Sequence, residues 1–501
     1  MVPIETDDAY TPGWWLKVLS QRLQDRRTGR LSGKAWARNQ VASSKSRPPL
    51  DLLDDYWRGD PPLRRDIHSG WADQFRQYAR MGRINVADLL VSSTANRMGL
   101  RDFRTALADD ELGDEEARNL MRRNNLRIVG RDVHDYMLGF GDGYTIVTPP
   151  SDKRDWSAIT AESPLECITA HDPVTGAGLA GLKMFRDEWD EADWAYLHLP
   201  GKVMVARLTG PTTIPKVDRK FTFSKKWEWD EDLSETFEGG RLAMVRFRNR
   251  RGVGEFEQQL DTLDRINDKV FNEWWIGKIQ AFRQRAVEVP DEDEPLGDID
   301  PDADQPEGDD DIDWQEIFVS GPDALWKLPK GAKMWESGVV DLNPMLQSIK
   351  QELEFLASVT STPLNTITPD AAKGSAEGAS LMREEHVFKI GDRRDRADGS
   401  WAETLSLAFE FQGMKDRADV SKIETLWGPM EVHSLEVRAA AAAALWGKVP
   451  SEAILVDVLG YSPADVVDRL RALRNRDLIH SNTPTPASTT PATPAPTPRA
   501  V

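Results

Sequence analysis

Apolar residues recur at spacings of three and four along several segments of the chain, which is the period of an α-helix. The pattern predicts helices from about Pro12 to Arg27, from Val86 to Met98, and from Asp114 to Asn124. Asp114 is expected to be the N-cap of the third of these helices, because its side chain can accept hydrogen bonds from the first turn. A further helix is predicted from Asp132 to Phe140.

The hydrophobic pattern changes between Arg127 and Thr222, where short apolar or alternating runs are bounded by Gly, Pro and Asp. Runs of this kind are typical of strands joined by turns. The predicted strands are Thr145–Thr148, Glu166–Thr169, Leu182–Phe185, Ala195–His198 and Lys202–Val205. Helices and short strands in one region predict a mixed α+β domain.

The longest helical pattern runs from about Glu255 to Arg285 and would be roughly 45 Å long at ~1.5 Å per residue. A second long helix is predicted from Asn343 to Thr360. Two helices that flank a polar segment suggest a chain that leaves along one stalk and returns along another.

Beyond this stalk, Pro and Gly break the helical pattern over residues 361–376. A helical region resumes to about Phe411, and we expect interruptions at Gly391 and Gly399 because glycine weakens a helix interior. An alanine-rich helix is predicted from Leu435 to Trp446, and Ser451 and Ser462-Pro463 are expected to begin two further helices.

The chain has 501 residues, which predicts two to four structural units. Its net charge of −19 is concentrated in residues 291–313, which hold thirteen Asp and Glu and no Lys or Arg. Removing these thirteen charges from the total leaves −6 for the remainder. Such a balance argues against tight nucleic-acid binding, which requires a basic surface. The single cysteine excludes an internal disulfide, and we find no stretch that resembles a membrane-spanning helix.

The acidic segment is the main candidate for chemistry, and three interpretations remain open. Asp298, Asp300 and Asp302 alternate as calcium ligands do, but the positions where a calcium loop needs Gly and Glu hold Ala303 and Asp309. The segment could instead be a solvated loop extended by charge repulsion, or a docking surface for a basic partner. The first interpretation gives an alternative function, a metal-dependent hydrolase or nuclease that uses residues 291–313.

Other motifs are weak. The chain contains no GxxxxGK[ST] phosphate loop, no HExxH and no GxSxG. Its eighteen Trp against seven Tyr favour extensive contact between subunits, because Trp is enriched at protein interfaces. Residues 481–501 contain six Pro and six Thr and are predicted to be disordered.

Six stretches, in their order along the chain, are similar to those of a known family. They are VADLLVSSTANRMGLRDFRT (86–105), DVHDYMLGFGDGYTIVT (132–148), ITAHDPVTGAGLAGLKMF (168–185), QQLDTLDRINDKVFNEWW (258–275), SVTSTPLNTI (358–367) with GSAEGASLMREE (374–385), and ALWGKVPSEAILVDVLGYSPADV (444–466). Together they resemble the portal proteins of long-tailed, siphophage-type bacteriophages, whose subunits form the head–tail connector ring. The long acidic segment and the Thr/Pro-rich tail depart from the family's pattern.

The resemblance implies an α+β, portal-like fold with a mixed α/β wing, a long-helix stem, a small α/β clip and a helical crown. The implied regions are an N-terminal arm (1–40), the wing (41–254), the outgoing stem helix (255–287), the clip (288–336) with the acidic insertion (291–313), the returning stem/wing helix (337–361), the tunnel loop (362–376), a wing/channel helix region (377–430), the crown (431–480) and the disordered tail (481–501).

The resemblance also implies a structural protein with no enzymatic activity and no cofactor. It would form a ring of probably twelve copies at the capsid vertex of the virion, after assembly in the host cytoplasm. Viral DNA would pass through the ring during packaging and ejection, bound without sequence specificity. The implied partners are the terminase packaging motor, the head–tail adaptor and the major capsid protein, with no membrane.

Three groups of residues have roles in this interpretation. The tunnel-loop residues that would face DNA are Thr362, Asn365, Thr366, Thr368, Lys373 and Ser375. The basic residues of the channel helix are Arg383, Lys389, Arg393 and Arg394. The clip residues that would dock partner proteins are Asp298, Asp300, Asp302, Asp309, Asp310 and Asp311.

Overall fold

The structure is a computed structural model of the 501-residue chain. It describes residues 2–29, 47–62, 79–105, 113–189, 192–208, 226–237, 239–281, 285–288, 333–336, 338, 340–367, 376–430, 435–461, 466 and 472.

Helices and strands alternate along the described parts of the chain. The helices are α1 (Pro12–Thr28), α2 (Leu50–Trp57), α3 (Val86–Ala95), α4 (Glu115–Arg123), α5 (Leu126–Phe140), α6 (Leu260–Ala281), α7 (Asn343–Val359), α8 (Leu364–Ile367), α9 (Ala376–Phe411), α10 (Leu435–Leu445) and the short α11 (Ser451–Ala453). The strands are β1 (Val2–Pro3), β2 (Leu100–Arg104), β3 (Asp142–Thr148), β4 (Ala158–Glu162), β5 (Cys167–His171), β6 (Gly178–Asp187), β7 (Ala192–Leu199), β8 (Lys202–Leu208), β9 (Trp227–Thr236), β10 (Met244–Arg248), β11 (Arg285–Glu288), β12 (Lys333–Glu336) and β13 (Glu424–Trp427). The prediction of a mixed α+β fold is confirmed.

The largest sheet has six antiparallel strands in the order β1-β9-β8-β7-β6-β5. Helix α1 packs on it, because its buried face carries Trp15, Leu16, Leu19 and Leu23 at helical spacing. Thr11 caps the helix by accepting a hydrogen bond from the Trp14 amide. Strands β5 and β6 pair antiparallel in this sheet and include most of the runs predicted as strands at Glu166–Thr169 and Leu182–Phe185.

A second sheet, ordered β10-β3-β4, lies against the long helix α9. Trp401 of α9 is completely buried and its ring centroid lies 4.9 Å from that of Phe247 on β10. The Trp401 indole N–H donates to His134 Nε2 of α5 at 2.9 Å. Burial of the His134 ring lowers its pKa to about 3, with a contribution from the positive charge of Arg394.

Strand β2 pairs antiparallel with β13, although the two are far apart in the chain. Asp114 stabilises this region as the N-cap of α4, with its Oδ1 accepting hydrogen bonds from the Glu116 and Ala117 amides. Its Oδ2 accepts from Thr105 and from Arg417 Nε at 2.8 Å. The sequence prediction of this cap is therefore correct.

Three predictions of secondary structure require correction. Helix α9 continues through Gly391 and Gly399 without interruption, since the buried face between Ile390 and Phe409 extends past both glycines and outweighs their cost. Helix α5 begins at Leu126 rather than Asp132. The helix expected from Glu255 to Arg285 begins at Leu260, after a 3₁₀ turn at Glu257–Gln259, and ends at Ala281, because Arg285 belongs to strand β11.

Contacts divide the chain into two compact units. The first comprises Met1–Asp66, Ile84–Asp264 and Leu353–Val501, and the second comprises Ile67–Arg83 and Arg265–Glu352. The region boundaries that the resemblance implies stay predictions. In the part of the chain that the structure describes, each helix is too short or too polar to span a bilayer.

Candidate functional site

The second unit holds the out-and-back helices that the sequence predicted. Glu352 of α7 accepts hydrogen bonds from Arg265 at 3.1 Å and from Lys269 at 2.9 Å, both on α6. Lys269 also donates to Ser348 at 2.8 Å. These contacts hold the outgoing and returning helices together side by side.

Strands β11 and β12 pair antiparallel between these helices, with Arg285 opposite Glu336 and Glu288 opposite Lys333. The pairing places Glu288 opposite Lys333, the described residues on either side of residues 289–332. The predicted clip residues Asp298, Asp300, Asp302, Asp309, Asp310 and Asp311 belong to this segment and lie outside the described residues.

A cavity of about 720 Å³ lies in the first unit, and we call its walls the junction. The junction consists of residues 249–259, residues 359–361 at the end of α7, and residues 385–396 of α9. It surrounds the point where the returning helix ends and the predicted tunnel loop begins.

A tight turn, Asn249-Arg250-Arg251-Gly252, forms the first wall of the junction. The buried Asn249 amide donates to the Val253 carbonyl at 2.8 Å and to Glu255 Oε1 at 3.0 Å, and its oxygen accepts from the Arg250 amide. Arg251 has a left-handed backbone with φ 58°. A non-glycine residue in this region is strained, which often marks a functional position. The turn therefore holds two adjacent arginines in a defined place.

An ion cluster joins this wall to α9. Glu255 Oε1 accepts from Arg393 Nε at 2.7 Å, and Glu255 Oε2 lies 2.9 Å from Lys389 Nζ. Burial opposes ionisation of Glu255, but the charges of Lys389 and Arg393 outweigh it and lower the pKa of the carboxyl to about 2. All three side chains are at most 10% exposed, so the cluster is a buried structural connection.

A second set of contacts holds the start of the predicted tunnel loop. Lys389 Nζ donates to the Thr360 carbonyl at 2.8 Å, and His386 Nδ1 lies 2.9 Å from the Ser361 carbonyl. Burial lowers the pKa of His386 to about 4, assisted by the charges of Lys389 and Arg97. The neutral ring therefore donates from Nδ1 to Ser361, and its Nε2 accepts from Arg97 at 3.2 Å.

The predicted tunnel-loop residues are only partly described. Thr362 is completely buried and its hydroxyl accepts from Thr360 Oγ1 at 3.0 Å. Asn365 and Thr366 belong to the short helix α8. Thr368, Lys373 and Ser375 lie outside the described residues. The assignment of these residues to a DNA channel stays a prediction.

The four predicted basic residues of the channel helix do not form one exposed row. Arg383 is exposed, whereas Lys389 and Arg393 are paired with Glu255 as described above. Arg394 is buried, which lowers its pKa to about 10, and its guanidinium lies 5.5 Å from the centroid of the Trp427 ring. Their role at DNA stays a prediction, and three of the four have structural contacts inside the chain.

Sequence reasoning missed Glu255, Arg250 and Arg251 as residues of the site. Two signals were available in the sequence. One is a carboxylate just after Gly252-Val253-Gly254, since closely spaced glycines mark places where the backbone can approach another part of the chain, and the other is the pair of adjacent arginines before them. Among the described residues, no group of three or more His, Cys, Asp and Glu side chains is placed to bind a metal ion.

No family model matches the chain, and no curated protein sequence matches it. Solved structures with similarity to it include the neck of the empty gene transfer agent (GTA) particle computed with C6 symmetry, at 12% identity and a TM-score of 0.43, covering 83% of this chain and 94% of that one. The virion of the native GTA particle matches at 12% identity and a TM-score of 0.42, with the same coverage. The neck of the native GTA particle computed with C12 symmetry matches at 12% identity and a TM-score of 0.41, covering 79% of this chain and 95% of that one. At these values the similarity is distant and does not identify the chain.

Proposed function

We propose that this chain is the portal subunit of a bacteriophage. Copies of the chain would form a ring at the capsid vertex, through which viral DNA enters during packaging and leaves during ejection. The ring would also be the docking site for the packaging motor and the head–tail adaptor. In this proposal the chain is a structural protein and has no catalytic activity of its own.

The observation that carries the proposal is the out-and-back arrangement of α6 and α7. Their contact through Glu352, Arg265 and Lys269, together with the strand pair β11–β12, forms a paired segment along which the chain leaves and returns. Such a paired segment supports the stem and clip that the resemblance implies for residues 255–361. The order of the six matching stretches along the chain supports the same assignment.

The charge of the chain fits a conduit. Each phosphate that Lys or Arg neutralises adds to the salt-dependent affinity for DNA and would slow its passage. A net charge of −19 for the chain, with an excess of acid outside residues 291–313 as well, favours weak contact with moving DNA. The acidic segment would attract basic surfaces of partner proteins.

The mass of the purified full-length protein in solution tests the proposal. We expect a closed ring, with a mass close to twelve times the 56.4 kDa of one chain, and ring-shaped particles in negative-stain images. A well-folded monomer at high protein concentration, or a divalent-dependent nuclease activity of the purified chain, would contradict the proposal.

A deletion within the predicted tunnel loop tests the role of that segment. Removal of residues 364–374 is expected to reduce DNA packaging or retention in assembled particles while the ring still forms. Loss of ring assembly would instead indicate that the segment is a structural brace.

A further inference from the structure

Two adjacent arginines at the junction, Arg250 and Arg251, line its cavity. Arg250 and Arg251 are both exposed, and neither guanidinium forms an ion pair or hydrogen bond with any residue that the structure describes. The turn that holds them is rigid, because Asn249 bonds across it and the carbonyl of Gly252 lies against Gly141. A Cβ atom at Gly141 would lie 2.1 Å from that carbonyl, so the close approach requires glycine there.

Apolar side chains are exposed beside these arginines. Phe388 of α9 is 71% exposed and Val359 at the end of α7 is 66% exposed, and both line the same cavity as the arginines. Phe355 lies one helical turn before Val359 and is 65% exposed. Exposed apolar groups of this size, close together, mark a surface that another molecule covers.

The composition of this surface favours a protein partner. Arginine and aromatic residues are enriched at protein interfaces, where arginine binds carboxylates through two parallel hydrogen bonds. DNA phosphates would satisfy Arg250 and Arg251 but would leave Phe388 and Val359 in water. A protein surface that carries both acidic and apolar groups would satisfy all four.

A second copy of this chain has the required charge. The chain carries 83 Asp and Glu against 64 Lys and Arg, so its surface offers an excess of carboxylates. In the proposed ring, neighbouring copies meet head to tail, so the junction of one copy would contact a different surface of the next.

We propose that the junction is the receiving half of the contact between neighbouring subunits. Arg250 and Arg251 bind carboxylates of the adjacent copy, and Phe388 and Val359 pack against its apolar side chains. This inference rests on the proposed ring and identifies which residues of the chain hold it together.

Reversal of the two charges tests the contact. The full-length double variant Arg250→Glu/Arg251→Glu is expected to raise the protein concentration needed for half-maximal ring assembly by at least about ten-fold, measured by mass photometry. The control Arg122→Glu/Arg127→Glu makes the same change of charge at two exposed arginines of the first unit outside the junction, and it is expected to assemble like the wild type. A second variant, Arg250→Ala/Arg251→Gly, removes the side chains and keeps the left-handed backbone at position 251 free of strain.

A photo-crosslinking amino acid at position 388 identifies the occupant directly. We expect the crosslinked product to join two copies of the chain, in rings formed without DNA and in rings mixed with double-stranded DNA. Crosslinks to DNA instead of protein, or assembly of the Glu double variant at wild-type concentration, would overturn the inference while the ring itself remained. A wild-type protein that stays monomeric would contradict the proposed function instead.

Discussion

The buried cluster of Glu255, Lys389 and Arg393 allows the change in unfolding free energy on mutation to be calculated. Replacement of Glu255 by Gln keeps the shape of the side chain but removes the carboxylate that faces Lys389, and it leaves Arg393 with Asp392 as its remaining acidic partner. The pKa of Glu255 falls from 4.5 to about 2 on folding. At ~1.4 kcal/mol per pKa unit, this corresponds to ~3 kcal/mol of stability at neutral pH. We therefore expect Glu255→Gln to lower the free energy of unfolding by about 3 kcal/mol, in the range for a broken buried ion pair.

The pH dependence of this effect has a defined sign. Because folding lowers the pKa of Glu255, the folded chain binds fewer protons, and the contribution is fully present above the unfolded pKa of 4.5. It is lost as the pH falls from 4.5 toward 2. The difference in unfolding free energy between wild type and Glu255→Gln should therefore be constant from pH 7 to about 5 and shrink at lower pH.

Urea denaturation at matched protein concentration across this pH range measures the effect. The control is Glu424→Gln, which removes an exposed ion pair with Arg104 whose side chains are 62% and 43% exposed and whose nearest charged atoms are 3.4 Å apart. Such a pair contributes about 0–1 kcal/mol. If Glu255→Gln were no more destabilising than this control, or if its effect did not change with pH, the cluster would not have the strength assigned to it.

Further predictions concern buried polar groups of the first unit. Trp401→Phe removes the donor to His134 and should lower the free energy of unfolding by about 1–3 kcal/mol, read as a lower Tm. Because the pKa of His134 falls from 6.5 to about 3 on folding, stability should decrease as the pH falls below 6.5, and His134→Gln should remove one proton from this pH dependence, measured by urea denaturation. Asp114→Ala loses the cap of α4 and the partner of Arg417 and should cost at least ~2 kcal/mol in thermal or urea unfolding, whereas Asp114→Asn, which can still cap the helix, should cost less. Both variants remove the negative charge and only Asn can still cap the helix, so equal effects of the two would show that the capping hydrogen bonds add nothing to the stability.

Local signals predicted the elements whose formation depends on nearby residues. Helix α1 ends at Thr28, one residue beyond the predicted end. The prediction was this close because the apolar face of the helix and its cap both lie within residues 11–28. The cap at Asp114 was recognisable for the same reason. Strands β6 and β7 were predicted only in part, since the predicted runs cover about half of each observed strand.

Contacts between distant residues were not predictable in this way. Strand β2 pairs with β13, and neither has an alternating pattern strong enough to predict a strand alone. Arg393, one partner of Glu255, lies 138 residues away in the chain, so a single sequence gives no sign that this carboxylate is buried and paired. A single sequence likewise does not show that Lys389 and Arg393, two of the predicted channel-helix residues, pair with this carboxylate.

The pairing of β2 with β13 has a consequence for synthesis. The hydrogen bond between Arg104 and Glu424 joins residues that are 320 positions apart. At roughly 5–20 residues per second, the ribosome needs on the order of tens of seconds to make the intervening polypeptide. During that interval the early strand lacks its neighbour, and Phe103, which is fully buried in the finished molecule, has incomplete cover. The nascent chain therefore cannot complete this strand pair until β13 has been synthesised. A truncated product that ends before residue 424 would keep the edge of β2 unpaired and open to aggregation.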